Sequence, residues 1–180
     1  MATEWVNVVD TAVKIGLGAV ISGVFTYLGL KLSHRSDKEK FMLEHKTKLL
    51  EKIAEDTDIY FTALDSYIAK FSGITKVRCC KGETGNTLTK SQKDSLAERN
   101  NSLVESWAYQ KSAIAKLRIL KATKASKALA KMSTLEKKLR DRYVFDKDIP
   151  TYDEVKELQT EVRDQKRVVH EMLAEFYGTL

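Results

Sequence analysis

Residues 33–71, SHRSDKEKFMLEHKTKLLEKIAEDTDIYFTALDSYIAKF, decide the fold, because this long stretch contains neither Gly nor Pro. Apolar residues recur along it at heptad-like steps, the spacing that places side chains on one face of a helix. They are Leu43, Leu50, Ala54, Phe61, Leu64, Ile68 and Phe71. The pattern predicts one long amphipathic helix that ends near Gly73.

The stretch that follows contains three glycines and charges of both signs, which predicts an exposed loop near residues 73–88. Cys79 and Cys80 lie within it. A bridge between adjacent cysteines is strained, so we expect two reduced thiols rather than a disulfide. Metal binding or oxidant sensing is the alternative, although no further Cys or His lies nearby to complete a ligand set.

A capping box formed by Thr89 and Gln92 predicts the start of a second helix. Its core positions are Leu96, Leu103, Trp107, Ile114 and Leu117. Neither Gly nor Pro interrupts residues 90–144, so the sequence allows one very long helix or two. We expect a turn near Ala122–Ser126 that divides them.

Two further capping boxes follow in the sequence. The first, Ser133 with Glu136, marks an alternative break. The second, Thr151 with Glu154, follows Pro150 and predicts the start of the last helix. That helix has a clean apolar stripe of Val155, Leu158, Val162, Val169, Met172 and Phe176 and ends at Gly178.

The predicted fold class is all-α. One Pro, eight Gly and 31% charged residues in 180 are typical of long helices rather than of a turn-rich sheet protein. Amphipathic helices with one apolar stripe each bury those stripes against one another. The prediction is an antiparallel bundle of three or four long helices, formed by residues 33–180.

An uncharged run of 16 residues, IGLGAVISGVFTYLGL, separates Lys14 from Lys31. This length falls between those of core helices and membrane spans. Both lysines can extend their ammonium groups to the headgroups, so a helix over Thr11–Leu32 would cover about 33 Å. The prediction is a transmembrane anchor over residues 1–32, and the alternative is a buried helix of a soluble domain.

Basic residues predict the orientation of this span. One lysine lies at its N-terminal end, whereas six Lys and Arg follow it between Lys31 and Lys48. Basic residues favour the cytosolic side. The prediction is therefore a single-pass inner-membrane protein with its N-terminus outside and its bundle in the cytosol, where reduced thiols are also expected.

Small residues share one side of the predicted span. They include Ala12, Gly16, Ala19, Gly23 and Thr26. Because small side chains allow two backbones to approach closely, this seam predicts association between membrane helices and hence a homo-oligomer. Glycine is frequent in membrane helices generally, which is the competing explanation.

The net charge of +6 is concentrated in the middle of the chain. Residues 111–142 carry eleven Lys or Arg against two acidic residues, whereas residues 143–180 carry five against nine. If the second helix returns to the membrane, its turn brings a basic collar to the anionic headgroups. The predicted headgroup-binding residues are Lys31, Arg35, Lys38, Lys116, Arg118, Lys121 and Lys124.

Two other interpretations of the basic stretch remain. One is a solvated face that is partly balanced by the acidic last helix. The other is nucleic-acid binding, which the lack of interleaved aromatic residues and of a recognised motif argues against. Membrane lipids are therefore the predicted partners of this stretch.

The sequence carries no catalytic signature. The three histidines, His34, His45 and His170, lack triad or metal-ligand partners at helical spacing, and no phosphate loop, dinucleotide fingerprint or nucleophile elbow occurs. We therefore predict no enzyme activity, no cofactor and no metal site.

The chain loosely resembles uncharacterised bacterial proteins with one N-terminal membrane helix and a cytosolic helical bundle. The resemblance is carried by VFTYLGLKL at the end of the apolar run, by KLRILKATKASKAL and by the C-terminal EMLAEFYGTL. It implies an architecture and a bacterial or phage setting, and no catalytic residues.

The predicted function is that of a membrane-anchored, self-associating scaffold or interaction protein with an unidentified protein partner. The alternative is a pore-forming effector of a toxin, lysis or antiviral defence system. Residues 15–30 contain no charge that would line a pore, which disfavours the alternative.

Overall fold

The computed structural model describes residues 37–83, 87–144 and 148–178. Within these ranges the chain is all-α and forms a helical bundle, and no strand occurs. The described residues form four helices, α1 Asp37–Cys80, α2 Lys90–Ile119, α3 Thr123–Val144 and α4 Tyr152–Gly178. None of these helices is long and apolar enough to cross a membrane. The predicted anchor over residues 1–32 lies outside the described residues.

The predicted end of the first helix at Gly73 is wrong. α1 continues to Cys80, because its buried face extends beyond Phe71 to Ile74. Gly82 ends the helix, because its φ of +66° turns the chain out of the helical path. In this conformation the Gly82 N–H donates to the Cys79 carbonyl and the Glu83 N–H donates to the Arg78 carbonyl. The predicted loop near 73–88 therefore begins only at Lys81.

Residues 90–144 form two helices, as expected. The break lies at residues 120–122, which overlaps the predicted turn only at Ala122, because residues 123–126 already belong to α3. The Ser133–Glu136 pair lies inside α3. The Thr89 hydroxyl accepts a hydrogen bond from the backbone N–H of Gln92, and the side-chain oxygen of Gln92 accepts one from the backbone N–H of Thr89. The same reciprocal bonds join Thr151 and Glu154 at the start of α4. Both predicted helix starts are thus confirmed.

The chain divides into two units, residues 1–45 and 46–180. In the first unit, Phe41 and Met42 of α1 are exposed. In the second, cross-helix contacts give an antiparallel bundle. They pair Asp56 of α1 with Lys116 of α2, Trp107 of α2 with Glu136 of α3, Lys138 of α3 with Glu161 of α4, and Lys166 of α4 with Asp65 of α1.

Large side chains of α1 fill the centre of the bundle. Tyr60, Tyr67 and Phe71 are fully buried, and the Phe71 ring meets Tyr143 of α3 edge-on with centroids 5.0 Å apart. Most predicted core positions are buried, while Ala54, Trp107, Ile114, Met172 and Phe176 are partly buried. The tyrosines at the centre were absent from the predicted stripe.

Candidate functional site

The turn between α2 and α3 carries most of the predicted headgroup-binding residues that the structure describes. α2 ends at Ile119 with Leu120 as its cap. Lys121 has a φ of +61°, and its N–H bonds the Arg118 carbonyl while the Ala122 N–H bonds the Leu117 carbonyl. This is the Schellman arrangement, in which the left-handed position is usually Gly.

The side chains around this turn are mostly in solvent. Arg118, Lys121 and Lys124 are exposed, and Lys124 makes one ion pair, with Glu175 of α4 at 3.4 Å between two exposed side chains. Ile119 stands among them with 72% of its surface exposed, the most of any large apolar side chain in the described residues. We name Arg118, Ile119, Lys121, Lys124 and Lys127 the basic tip.

Lys116 does not belong to the exposed group. Its ammonium lies 2.5 Å from the Asp56 carboxylate and donates to the Ser112 hydroxyl at 2.8 Å. Only 19% of the Lys116 side chain and 2% of the Asp56 side chain are exposed. Because this ammonium balances a buried carboxylate, it joins α2 to α1 rather than facing a headgroup.

The remaining predicted positions are at the N-terminal end of the chain. Lys31, Arg35 and the small-residue seam of Ala12, Gly16, Ala19, Gly23 and Thr26 lie outside the described residues. Lys38 lies in the first turn of α1. The proposed collar and seam therefore stay predictions.

A second polar cluster, missed by the sequence patterns, centres on Glu136 of α3. One oxygen of its carboxylate accepts the Trp107 indole N–H at 2.8 Å, and the other accepts the Tyr60 hydroxyl at 3.0 Å. The Arg140 guanidinium is 3.9 Å away, stacks over the Trp107 ring and donates to the Asn100 amide oxygen. One carboxylate thereby ties α1, α2 and α3 together.

Burial dominates the electrostatics of this cluster. Desolvation raises the pKa of Glu136, and hydrogen bonds from Trp107 and Tyr60 and the charge of Arg140 oppose that rise. Burial and the adjacent Glu136 charge also raise the pKa of Tyr60. The cluster is arranged to hold helices together, because its carboxylate oxygens are occupied by donors from the neighbouring helices.

Other titratable groups are placed separately. His170 meets the Phe61 ring edge-on at 5.7 Å, and burial followed by the nearby Lys166 charge lowers the pKa of its imidazole. Cys79 and Cys80 are exposed and unbridged at the C-terminal end of α1. The described ranges contain no group of three or more His, Cys, Asp or Glu placed to hold a metal ion.

An open groove of about 320 Å³ lies between α3 and α4. Leu139, Val155 and Leu158 line its apolar floor. Ion pairs cross its rim, from Lys138 to Glu161 at 2.6 Å and from Arg142 to Glu154 at 2.7 Å. These pairs join the two helices and account for the charged residues around it.

Two features of the basic tip can be detected in the sequence. The charge excess was evident, since residues 106–135 contain seven Lys or Arg and no acidic residue. The exposure of Ile119 was also detectable, because this residue lies off the stripe that contains Leu117. Comparison with protein-family profiles, with curated proteins and with solved structures gave no match.

Proposed function

We propose that this protein is a membrane-anchored, self-associating helical scaffold that acts by binding a protein partner rather than by catalysis. The observation that carries the proposal is the uncharged run of residues 15–30, which lies between two lysines and precedes the long helix α1. A membrane helix of this composition holds the bundle at the bilayer with its N-terminus outside.

The bundle suits a scaffold because its interior polar groups cross-link its helices. Glu136 joins three helices, and Gln165 of α4 donates to the Ala128 carbonyl of α3 at 2.9 Å. Gln110 of α2 likewise donates to the Leu129 carbonyl and accepts the Ser133 hydroxyl of α3. Satisfied polar groups in a core favour one packing arrangement over its alternatives.

The orientation is tested with the two native cysteines as reporters, because both thiols are exposed. In cells with a permeabilised outer membrane, an impermeant maleimide should leave Cys79 and Cys80 unlabelled until the inner membrane is opened. An Ala2→Cys variant that also carries C79S and C80S should react without that step. Release of the chain from membranes by alkaline carbonate would contradict the anchor.

Self-association is tested on the full chain in lipid vesicles by energy transfer between labelled copies. Gly16→Leu with Gly23→Leu should reduce transfer, because larger side chains keep the backbones apart. Val20→Leu with Val24→Leu, on the bulky side of the span, is the matched control and should leave transfer unchanged. If the native chain and both double variants were all monomeric, self-association through the seam would be ruled out.

The pore-forming alternative predicts a different result. Induction of the full chain would collapse the membrane potential, and a chain lacking residues 1–32 would not. Under the scaffold proposal the potential stays intact with either chain.

A further inference from the structure

We infer that the basic tip is a lipid-contacting element, in which Ile119 inserts into the surface of an anionic bilayer while Arg118, Lys121 and Lys127 bind its headgroups. The inference rests on the proposed membrane attachment and adds a second point of contact to it. It also changes the predicted headgroup set, because Lys116 is excluded and an exposed apolar side chain is included.

The positive charge of the basic tip complements an anionic bilayer. Arg118, Lys121 and Lys127 are exposed and form no ion pair within the described ranges, whereas Glu55, Asp56 and Glu175 each pair with another lysine. Glu55 pairs with Lys52 at 2.7 Å, and Asp56 pairs with Lys116. The tip therefore presents uncompensated positive charge, which an anionic leaflet attracts by about 1 kcal/mol per cation.

Ile119 distinguishes a bilayer from other anionic partners. An apolar side chain that is 72% exposed between two cations gains little from a purely polar surface. The interface of a bilayer offers headgroup charge and apolar chains within a few ångströms of each other, which matches the tip on both counts. Nucleic acid offers phosphate but gives this side chain no apolar surface at the same depth.

The backbone at Lys121 is a second, independent observation. Its left-handed φ of +61° is a conformation that costs a non-Gly residue about 1 kcal/mol, and Gly is the usual residue at this position of a Schellman turn. The sequence has a cation where a glycine would relieve that strain. A glycine would remove a positive charge from the tip, so the residue present agrees with a role for that charge in binding headgroups.

The exposed lysines of α3 continue the basic tip within the second unit. Because α1 and α2 are antiparallel and Asp56 pairs with Lys116, the tip is at the level of Lys52. Lys124, Lys127 and Lys131 form an exposed row on α3, which extends the positively charged surface of the tip along this helix.

The experiment places an environment-sensitive fluorophore at Ile119→Cys in the full chain carrying Cys79→Ser and Cys80→Ser. The chain is reconstituted in nanodiscs of phosphatidylcholine alone or with phosphatidylglycerol. On the anionic discs we expect a blue-shifted emission that lipid-borne quenchers reduce, and its loss in 1 M salt. The matched control is the label at Ala97→Cys, an exposed position towards the other end of α2, which should stay in water on both discs.

Lys121→Gly separates charge from folding, because Gly fits the left-handed turn. With the label at position 119, this variant should keep or increase the free energy of unfolding while weakening the lipid contact about fivefold, the equivalent of about 1 kcal/mol for one cation. An unchanged lipid contact would contradict a role for the Lys121 charge.

Two results would overturn the inference while leaving the anchor intact. In the first, the chain stays in the anionic discs after carbonate treatment, but the fluorophore at position 119 stays in water. In the second, the emission of the fluorophore changes on addition of duplex nucleic acid and not with anionic lipid, which would assign the tip to a different partner. Failure of the chain to remain in any disc would instead overturn the proposed membrane attachment.

Discussion

Lys116 and Asp56 form an ion pair between α2 and α1, with both charged groups largely removed from solvent. A second cation, Lys52, lies 3.9 Å from this carboxylate. A buried carboxylate that loses its main partner costs far more than an exposed pair contributes. The pair therefore fixes how α1 sits on α2, and with it the position of the basic tip.

Lys116→Met should lower the free energy of unfolding by about 3 kcal/mol, because Asp56 stays buried without its closest cation. Lys124→Met is the matched control, since its pair with Glu175 is exposed, and it should change stability by less than about 0.5 kcal/mol. Urea unfolding of both variants measures the difference. Adding Asp56→Asn to Lys116→Met should recover part of the lost stability, because no unpaired charge then stays buried. If Lys116→Met and Lys124→Met lowered the free energy of unfolding equally, the Lys116–Asp56 pair would not be buried in solution.

Glu136→Gln should become more stable relative to the native chain as pH rises. A carboxyl whose folded-state pKa is raised contributes stability that is fully present below its ordinary value of 4.5 and is lost as pH rises through the raised value. Glutamine has no such titration. Unfolding free energies of both chains between pH 4.5 and 8 test this, and a difference that does not change with pH would contradict burial of the carboxyl.

Glu154→Gln should show the opposite pH dependence, becoming less stable relative to the native chain as pH rises. Hydrogen bonds from Arg142 and from Thr151 at the start of α4 lower the pKa of Glu154 to about 2. Its contribution is present above the ordinary value of 4.5 and is lost as pH falls towards the folded value. We therefore expect the variant to lose stability relative to the native chain as pH rises from 2 to about 5, measured by acid unfolding. A rise over this range would contradict the ion pair with Arg142.

The sequence patterns predicted local features better than long-range contacts. Thr89 with Gln92 and Thr151 with Glu154 were identified because a capping box is formed by residues three apart. Ser133 with Glu136 has the same spacing, yet Glu136 lies inside α3 and bonds Tyr60, which is 76 residues away. No local pattern specifies such a partner. The exclusion of Lys116 from the headgroup set depends on Asp56 for the same reason.

Gly73 shows how a local signal can be overridden by packing, and it gives the last prediction. Glycine disfavours a helix interior, but Ile74 and Arg78 are buried beyond it, so burial continues the helix to Cys80. A Cβ added at Gly73 meets nothing within 4 Å. Gly73→Ala should therefore raise the free energy of unfolding by about 0.5–1 kcal/mol, measured by urea unfolding.

Gly82→Ala is the contrasting control for this change. Gly82 also has open space around it, but its φ of +66° is unfavourable for alanine, so this variant should lose stability. The two glycines thus differ in backbone conformation and not in steric room. If Gly73→Ala were destabilising like Gly82→Ala, α1 would end near Gly73 in solution, and the buried contacts of Ile74 and Arg78 would have to form without the helix.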